Sequence, residues 1–84
     1  MNPYGARSYY FRTAVGTFWI RPHSGEPGLV VLGVNDRPLR SYNSADSASD
    51  DFSRQQTGWS AWDRLDKPLV PNGINQWQRG DPSR

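Results

Sequence analysis

The stretch from Tyr9 to Pro22, YYFRTAVGTFWIRP, decides the fold. Two runs rich in aromatic and β-branched residues flank Ala14-Val15-Gly16, which is the composition of a β-hairpin. Gly16 reads as the left-handed residue of its turn. A two-residue loop sets Phe11 opposite Ile20 and Arg12 opposite Trp19. A three-residue loop with a glycine bulge shifts the first strand by one, and Phe11 then meets Trp19. In either register Phe18 and Ile20 share one face of the second strand while Trp19 and Arg21 share the other, because successive side chains alternate. The sheet therefore carries large rings on both sides.

Downstream, Pro22-His23-Ser24-Gly25-Glu26-Pro27-Gly28 is a loop by its turn chemistry. Leu29 to Val34, LVVLGV, is a continuous apolar run that fits a strand covered on both faces. Asn35-Asp36 suits a tight turn, since both residues tolerate positive φ, and Pro38 confines the strand that follows to a sheet edge. Ser44 then precedes Ala45, Ala48 and Phe52 at helical spacing, with Asp46 in the first turn where the helix dipole favours negative charge. This predicts one amphipathic helix over about 45–56, with Gly58 as its C-terminal stop. Trp59, Trp62 and Leu65 suggest one more helical turn. A Pro- and Gly-rich segment from Lys67 to Gly73 follows, and 74–77 reads as a last short strand or a packed tail. Met1 to Arg7 reads as a flexible leader, and the last residues read as frayed.

Composition bounds what such a chain can be. Its 84 residues suffice for one small domain, 1–84, ordered over about 8–80. Only 35% of residues are hydrophobic, so the core is thin, and eleven aromatic rings must fill most of it. The absence of cysteine excludes disulfide staples and thiolate metal sites. No apolar run approaches the roughly 18 residues needed to cross a bilayer, and MNPYGARSYY lacks the apolar segment of a signal peptide, so the expected setting is the cytoplasm, away from any membrane. The net charge of +2 is unevenly spread. Residues 1–40 set five Arg against Glu26 and Asp36, whereas 41–63 set Arg54 against four Asp. Nine of the ten basic residues are Arg, which stacks on rings and forks onto carboxylate or phosphate better than Lys does.

The spaced set Gly16-x-Phe18-Trp19-Ile20-x-Pro22, Leu32-Gly33-Val34-Asn35, Thr57-Gly58-Trp59 with Trp62-Asp63, and Trp77-x-x-Gly80 resembles a family of small uncharacterised proteobacterial proteins. The resemblance covers roughly residues 9 to 80 and implies an α+β domain whose activity is unknown. In topology alone, a three-stranded sheet followed by one helix is also similar to the AP2-type and integrase-arm DNA-binding domains.

Candidate sites follow from the residue types. His23 is the only histidine, so a paired nucleophile or a multi-histidine metal site has nothing else to build on; with Ser24 and Glu26 it reads as part of a solvated loop. Asp46, Asp50 and Asp51 lack the spacing of a calcium loop and read as a solvated helix face, or as an acidic stripe for a basic partner. Gly25-x-x-Gly28 is interrupted by Pro27 and is turn chemistry, not a phosphate cradle. The sharper candidate is the sheet face of Trp19 and Arg21, joined by Tyr10 and Arg12 or by Tyr9 and Phe11 according to the register, where rings interleaved with Arg are the ingredients of a single-strand nucleic-acid platform. Against it stands area: a helix covers one face only, and a second wet face plus three downstream tryptophans would leave too large an apolar patch. The tail is therefore expected to bury the Trp19 face. The overall expectation is an α+β domain with an antiparallel three- to four-stranded sheet, one packing helix and a tryptophan-rich C-terminal segment covering the rest. It is expected to be a non-catalytic accessory or protein-interaction module with no cofactor and no metal. A weak nucleic-acid binder using Arg12, Trp19 and Arg21 is the alternative.

Overall fold

A computed structural model describes residues 8–80; the leader Met1 to Arg7 and residues 81–84, both expected as loose ends, lie outside the described residues. The strands are β1 (Tyr9–Thr13), β2 (Gly16–Pro22), β3 (Val30–Val34), β4 (Arg37–Tyr42) and β5 (Gln78–Arg79). They form one antiparallel sheet in the order β4-β3-β2-β1-β5. Helix α1 (Ala45–Ser53) packs on the sheet, followed by a one-turn helix α2 (Ser60–Asp63) and a 3-10 turn at Ile74–Gln76. The class is α+β, with five strands where three or four were expected. The fifth forms because the chain returns after Trp77 beside Tyr9 and Tyr10, and the Gly80 N–H donates to the Ser8 carbonyl at 2.8 Å.

The first hairpin takes neither expected register: the partner of Phe11 lies one residue earlier in β2 than a three-residue loop would place it, and two earlier than the expected two-residue loop. Thr13 pairs with Gly16 across a two-residue turn of Ala14-Val15, so Phe11 faces Phe18 and Tyr10 faces Trp19. The Thr13 hydroxyl supplies the reason: it accepts from the Val15 and Gly16 amides and donates to the Gly16 carbonyl at 2.7 Å. Gly16 is thus the first residue of β2 rather than the αL residue of the turn, but its φ of 155° is one that residues with a Cβ rarely adopt. It also provides closeness. A Cβ there would lie 2.9 Å from the Asn35 amide. Asn35, at φ 54°, forms the expected turn with Asp36 and ties the two hairpins together by accepting from the Thr17 N–H and donating its own N–H to the Thr17 carbonyl.

Ser44 caps α1 as its spacing predicts, its hydroxyl accepting from the Ser47 amide at 3.1 Å. The helix stops at Ser53, before Gly58. The residue that turns the chain is Gln55, left-handed at φ 57°, with the Gln56 N–H reaching back to the Asp51 carbonyl in a Schellman-type closure. Gln55 tolerates this conformation because its side-chain amide is itself held, donating to the carbonyls of Trp62 and Leu65. Gly58 serves the next loop instead. There the Asp63 carboxylate accepts from the Thr57 N–H, the Thr57 hydroxyl and the Gly58 N–H at 3.0, 2.8 and 2.8 Å. The spacing of Thr57-Gly58-Trp59 and Trp62-Asp63 is therefore a loop closed on a buried threonine.

That closure sets the tryptophans. Trp62 is 1% exposed, stacks on Phe52 with ring centroids 4.5 Å apart and planes 8° apart, and donates its indole N–H to the Phe52 carbonyl. Trp77 meets Phe52 edge-on and donates to the Ser49 hydroxyl at 2.9 Å. Phe18, Ile20, Leu32, Val34, Ala48 and Phe52 complete the same cluster, with Trp59 half-buried against Phe18. The helix and the C-terminal tryptophans thus pack on one face of the sheet, and the expectation that the tail buries the Trp19 face is overturned. Phe52 supplies the reason: its ring accepts partners on several sides, leaving room beside the helix for both indoles.

Two measurements probe this arrangement. Asp63→Ala leaves the buried Thr57 hydroxyl and two amides without their acceptor and should lower the unfolding free energy by about 3 kcal/mol in urea titration. The second concerns Tyr42, whose hydroxyl donates to Asp51 at 3.0 Å and ties β4 to α1. Burial, reinforced by the hydrogen bond to Asp51 and the charge of its carboxylate, pushes the phenol up to about 12 from 10.0. A phenol held neutral in the folded state contributes its stability fully below the unfolded value and loses it as pH rises from about 10 to about 12. Tyrosinate absorbance should show that late ionisation, and Asp51→Asn should move it down.

Candidate binding face

The side of the sheet opposite α1 carries the residues singled out by sequence. Cross-strand pairing sets Tyr10, Trp19 and Gly33 in one row, Arg12 beside Thr17, and Arg21 beside Val31. The observed register separates Arg12 from Trp19. The Arg12 guanidinium instead lies over the Tyr10 ring at 4.9 Å, and that of Arg21 lies over the Trp19 ring at 4.3 Å.

Trp19 is only 7% exposed although it stands on the face without the helix. It achieves this by lying down on its own sheet. A Cβ on Gly33 would come 2.1 Å from Cζ2 of the indole, so the missing side chain of Gly33 is the floor on which the ring rests. The indole N–H donates to the Asn35 carbonyl at 2.7 Å, fixing the ring's tilt, and Arg21 closes it from above. A base-stacking platform needs an open ring face. Here Gly33 and Arg21 occupy both faces of Trp19, and Arg12 lies over Tyr10. The pattern of rings interleaved with Arg is real, but its cation–π contacts are internal.

The loop of His23 borders a hollow of about 640 Å³, with Asn43 and Ser44 on the other side. Its Nδ1 accepts from the Gly25 and Glu26 amides at 3.0 and 2.9 Å, which folds the loop around the imidazole. These two bonds engage the Nδ1 lone pair within the loop itself. Asp51 holds Tyr42, while Asp46 lies in the first turn of α1. Among the described residues no group of three or more His, Cys, Asp or Glu could hold a metal ion. No helix among them is long and apolar enough to cross a membrane.

A groove of about 440 Å³ beside β1 went unread in the sequence. Residues 11–14 form one wall, and Trp62, Leu65, Pro68 and Leu69 form the other. Leu69 is 91% exposed and Val70 41%. The available signal was slight: a Leu-Val pair bounded by Pro68 and Pro71 in an otherwise polar segment. With this geometry in view, comparison with known proteins gives no family model, curated protein or solved structure that matches the chain.

Gly33→Ala tests the Trp19 site. The added methyl forces the indole off its floor, and the expected outcome is a loss of about 1–3 kcal/mol in stability together with tryptophan emission more readily quenched by acrylamide.

Proposed function

We propose that this chain is a non-catalytic protein-interaction domain whose contact surface is the apolar groove between β1 and the 62–69 segment. The observation that carries the reading is the adjacent pair Leu69 and Val70, both exposed beside a groove lined by Phe11, Trp62, Leu65 and Pro68. An apolar side chain held in water beside an apolar hollow gains about 25 cal/mol per Å² when a partner covers it. In this reading the tryptophan-rich C-terminal segment is the structural cover of the helix side, a role supported by the burial of Trp62 and Trp77. The engagement of Nδ1 in the only histidine supports a role without turnover. The bacterial setting in this reading rests on the resemblance of the tryptophan spacing to the small proteobacterial proteins. Nucleic-acid binding through Arg12, Trp19 and Arg21 is the less supported reading, because the ring it needs is covered on both faces.

Leu69→Asp discriminates the two. Leu69 is solvated, so its replacement should leave stability within about 0.5 kcal/mol. Quantitative co-purification should recover a defined protein at fixed stoichiometry with the wild type and lose most of it with the variant. Equal recovery with both chains would contradict the reading. So would quenching of tryptophan fluorescence by a short oligonucleotide that weakens as salt rises.

A further inference from the structure

We propose that the outer edge of β1 at residues 11–13 accepts an additional strand from a protein partner, an extended segment that places apolar side chains in the groove and acidic side chains against Arg12. This rests on the interaction reading above and specifies the partner's chemistry.

The first support is topological. β5 pairs with β1 only at Tyr9 and Tyr10. Past them the outer edge of β1 carries no strand among the described residues, over about 10 Å of strand at 3.3 Å per residue. In an antiparallel ladder the residues that bond to a given neighbour alternate. The bond from the Gly80 N–H to Ser8 marks Ser8, and by alternation Tyr10 and Arg12, as the residues whose backbone groups point away from β2. The N–H and C=O of Arg12 thus face the groove.

The second support is side-chain chemistry. A strand laid there sets one residue beside Phe11 and the next beside Arg12, on opposite faces of the sheet. The residue beside Phe11 enters the groove of Trp62, Leu65 and Leu69, which asks for an apolar side chain. The residue beside Arg12 lies on the open face, next to an exposed guanidinium. Arg12 is the only charged residue among those that line this groove. That cation selects an acidic residue beside it. It also disfavours a second copy of this chain, because twofold pairing of two β1 edges would bring Arg12 against its own counterpart.

The opposite edge is guarded. β4 carries Pro38, which donates no hydrogen bond, and its pairing with β3 shifts register between Leu32 and Gly33. Strand addition is therefore directed to β1.

The probe is the capped peptide Ser-Thr-Val-Glu-Leu-Thr-Ser, whose Val and Leu share one face in extended form and whose Glu, flanked by the two Thr, lies on the other. Titrated into the full chain, it should slow hydrogen exchange of the Arg12 amide and shift the signals of Leu65, Leu69 and the Trp62 indole. Replacing the Glu by Lys should weaken binding about tenfold at low salt. Methylating the Glu backbone nitrogen, which removes the ladder donor beside Arg12, should abolish it. The proposal is overturned if saturating peptide leaves Arg12 exchange unchanged, or if the methylated peptide binds equally well. It is also overturned if Arg12 becomes protected with rising protein concentration alone, which would assign the edge to a second copy. Failure of the peptide while Leu69→Asp still loses the co-purified protein removes strand addition and leaves the interaction reading standing. Indifference of co-purification to Leu69→Asp removes both.

Discussion

Four rings close on Phe52: Trp62 stacked at 4.5 Å, Phe18 and Trp77 edge-on at 4.7 and 5.0 Å, and Phe11 at 5.6 Å. Contacts of this kind each add about 0.5–1.5 kcal/mol to the burial of the rings themselves. In a chain with few aliphatic residues and no cysteine, that cluster stands in for a larger core. Both indole N–H groups end on α1, one on the Phe52 carbonyl and one on Ser49, so each aromatic contact also satisfies a buried polar group. A helix of nine residues is too short to hold its shape alone, and the rings that converge on its last turn hold it to the sheet.

The convergence is one-sided, and the two faces of the sheet solve burial in different ways. On the helix side, segments distant in sequence are drawn together by the aromatic cluster. On the other side no such segment is needed, because Trp19 lies on Gly33, is locked by Asn35 and is topped by Arg21. A residue type that usually announces a binding surface is thereby used up internally. The surface left to a partner is at the seam between β1 and the C-terminal segment, where the turn of Asp63 and Gln55 brings the 62–69 segment past the sheet edge without covering it.

Much of the fold was legible locally. Alternation in β2, the Asn35-Asp36 turn, the edge position of Pro38 and the Ser44 cap all depend on residues within a few positions of each other. What failed depended on contacts across the chain. The hairpin register was set by the Thr13 hydroxyl and by the approach of Asn35 to Gly16, which no spacing rule around Gly16 anticipates. The helix stop moved to Gln55 because its side chain is held by carbonyls of Trp62 and Leu65. Alternation placed Trp19 and Arg21 on one face, whereas Arg12's place on it waited on the hairpin register, and the closure of that face required knowing that Gly33 lies directly opposite Trp19. The groove was invisible because its two walls come from β1 and from 62–69, some fifty residues apart.

Phe52 thus organises one face while Trp19 is held independently on the other. Phe52→Leu, followed by the indole N–H signals in NMR and by urea unfolding, separates the two. Stability should fall by about 2 kcal/mol, with the Trp62 and Trp77 indole signals displaced and that of Trp19 unmoved. A Trp19 signal that shifts together with the other two, or a stability change under about 0.5 kcal/mol, would contradict this arrangement.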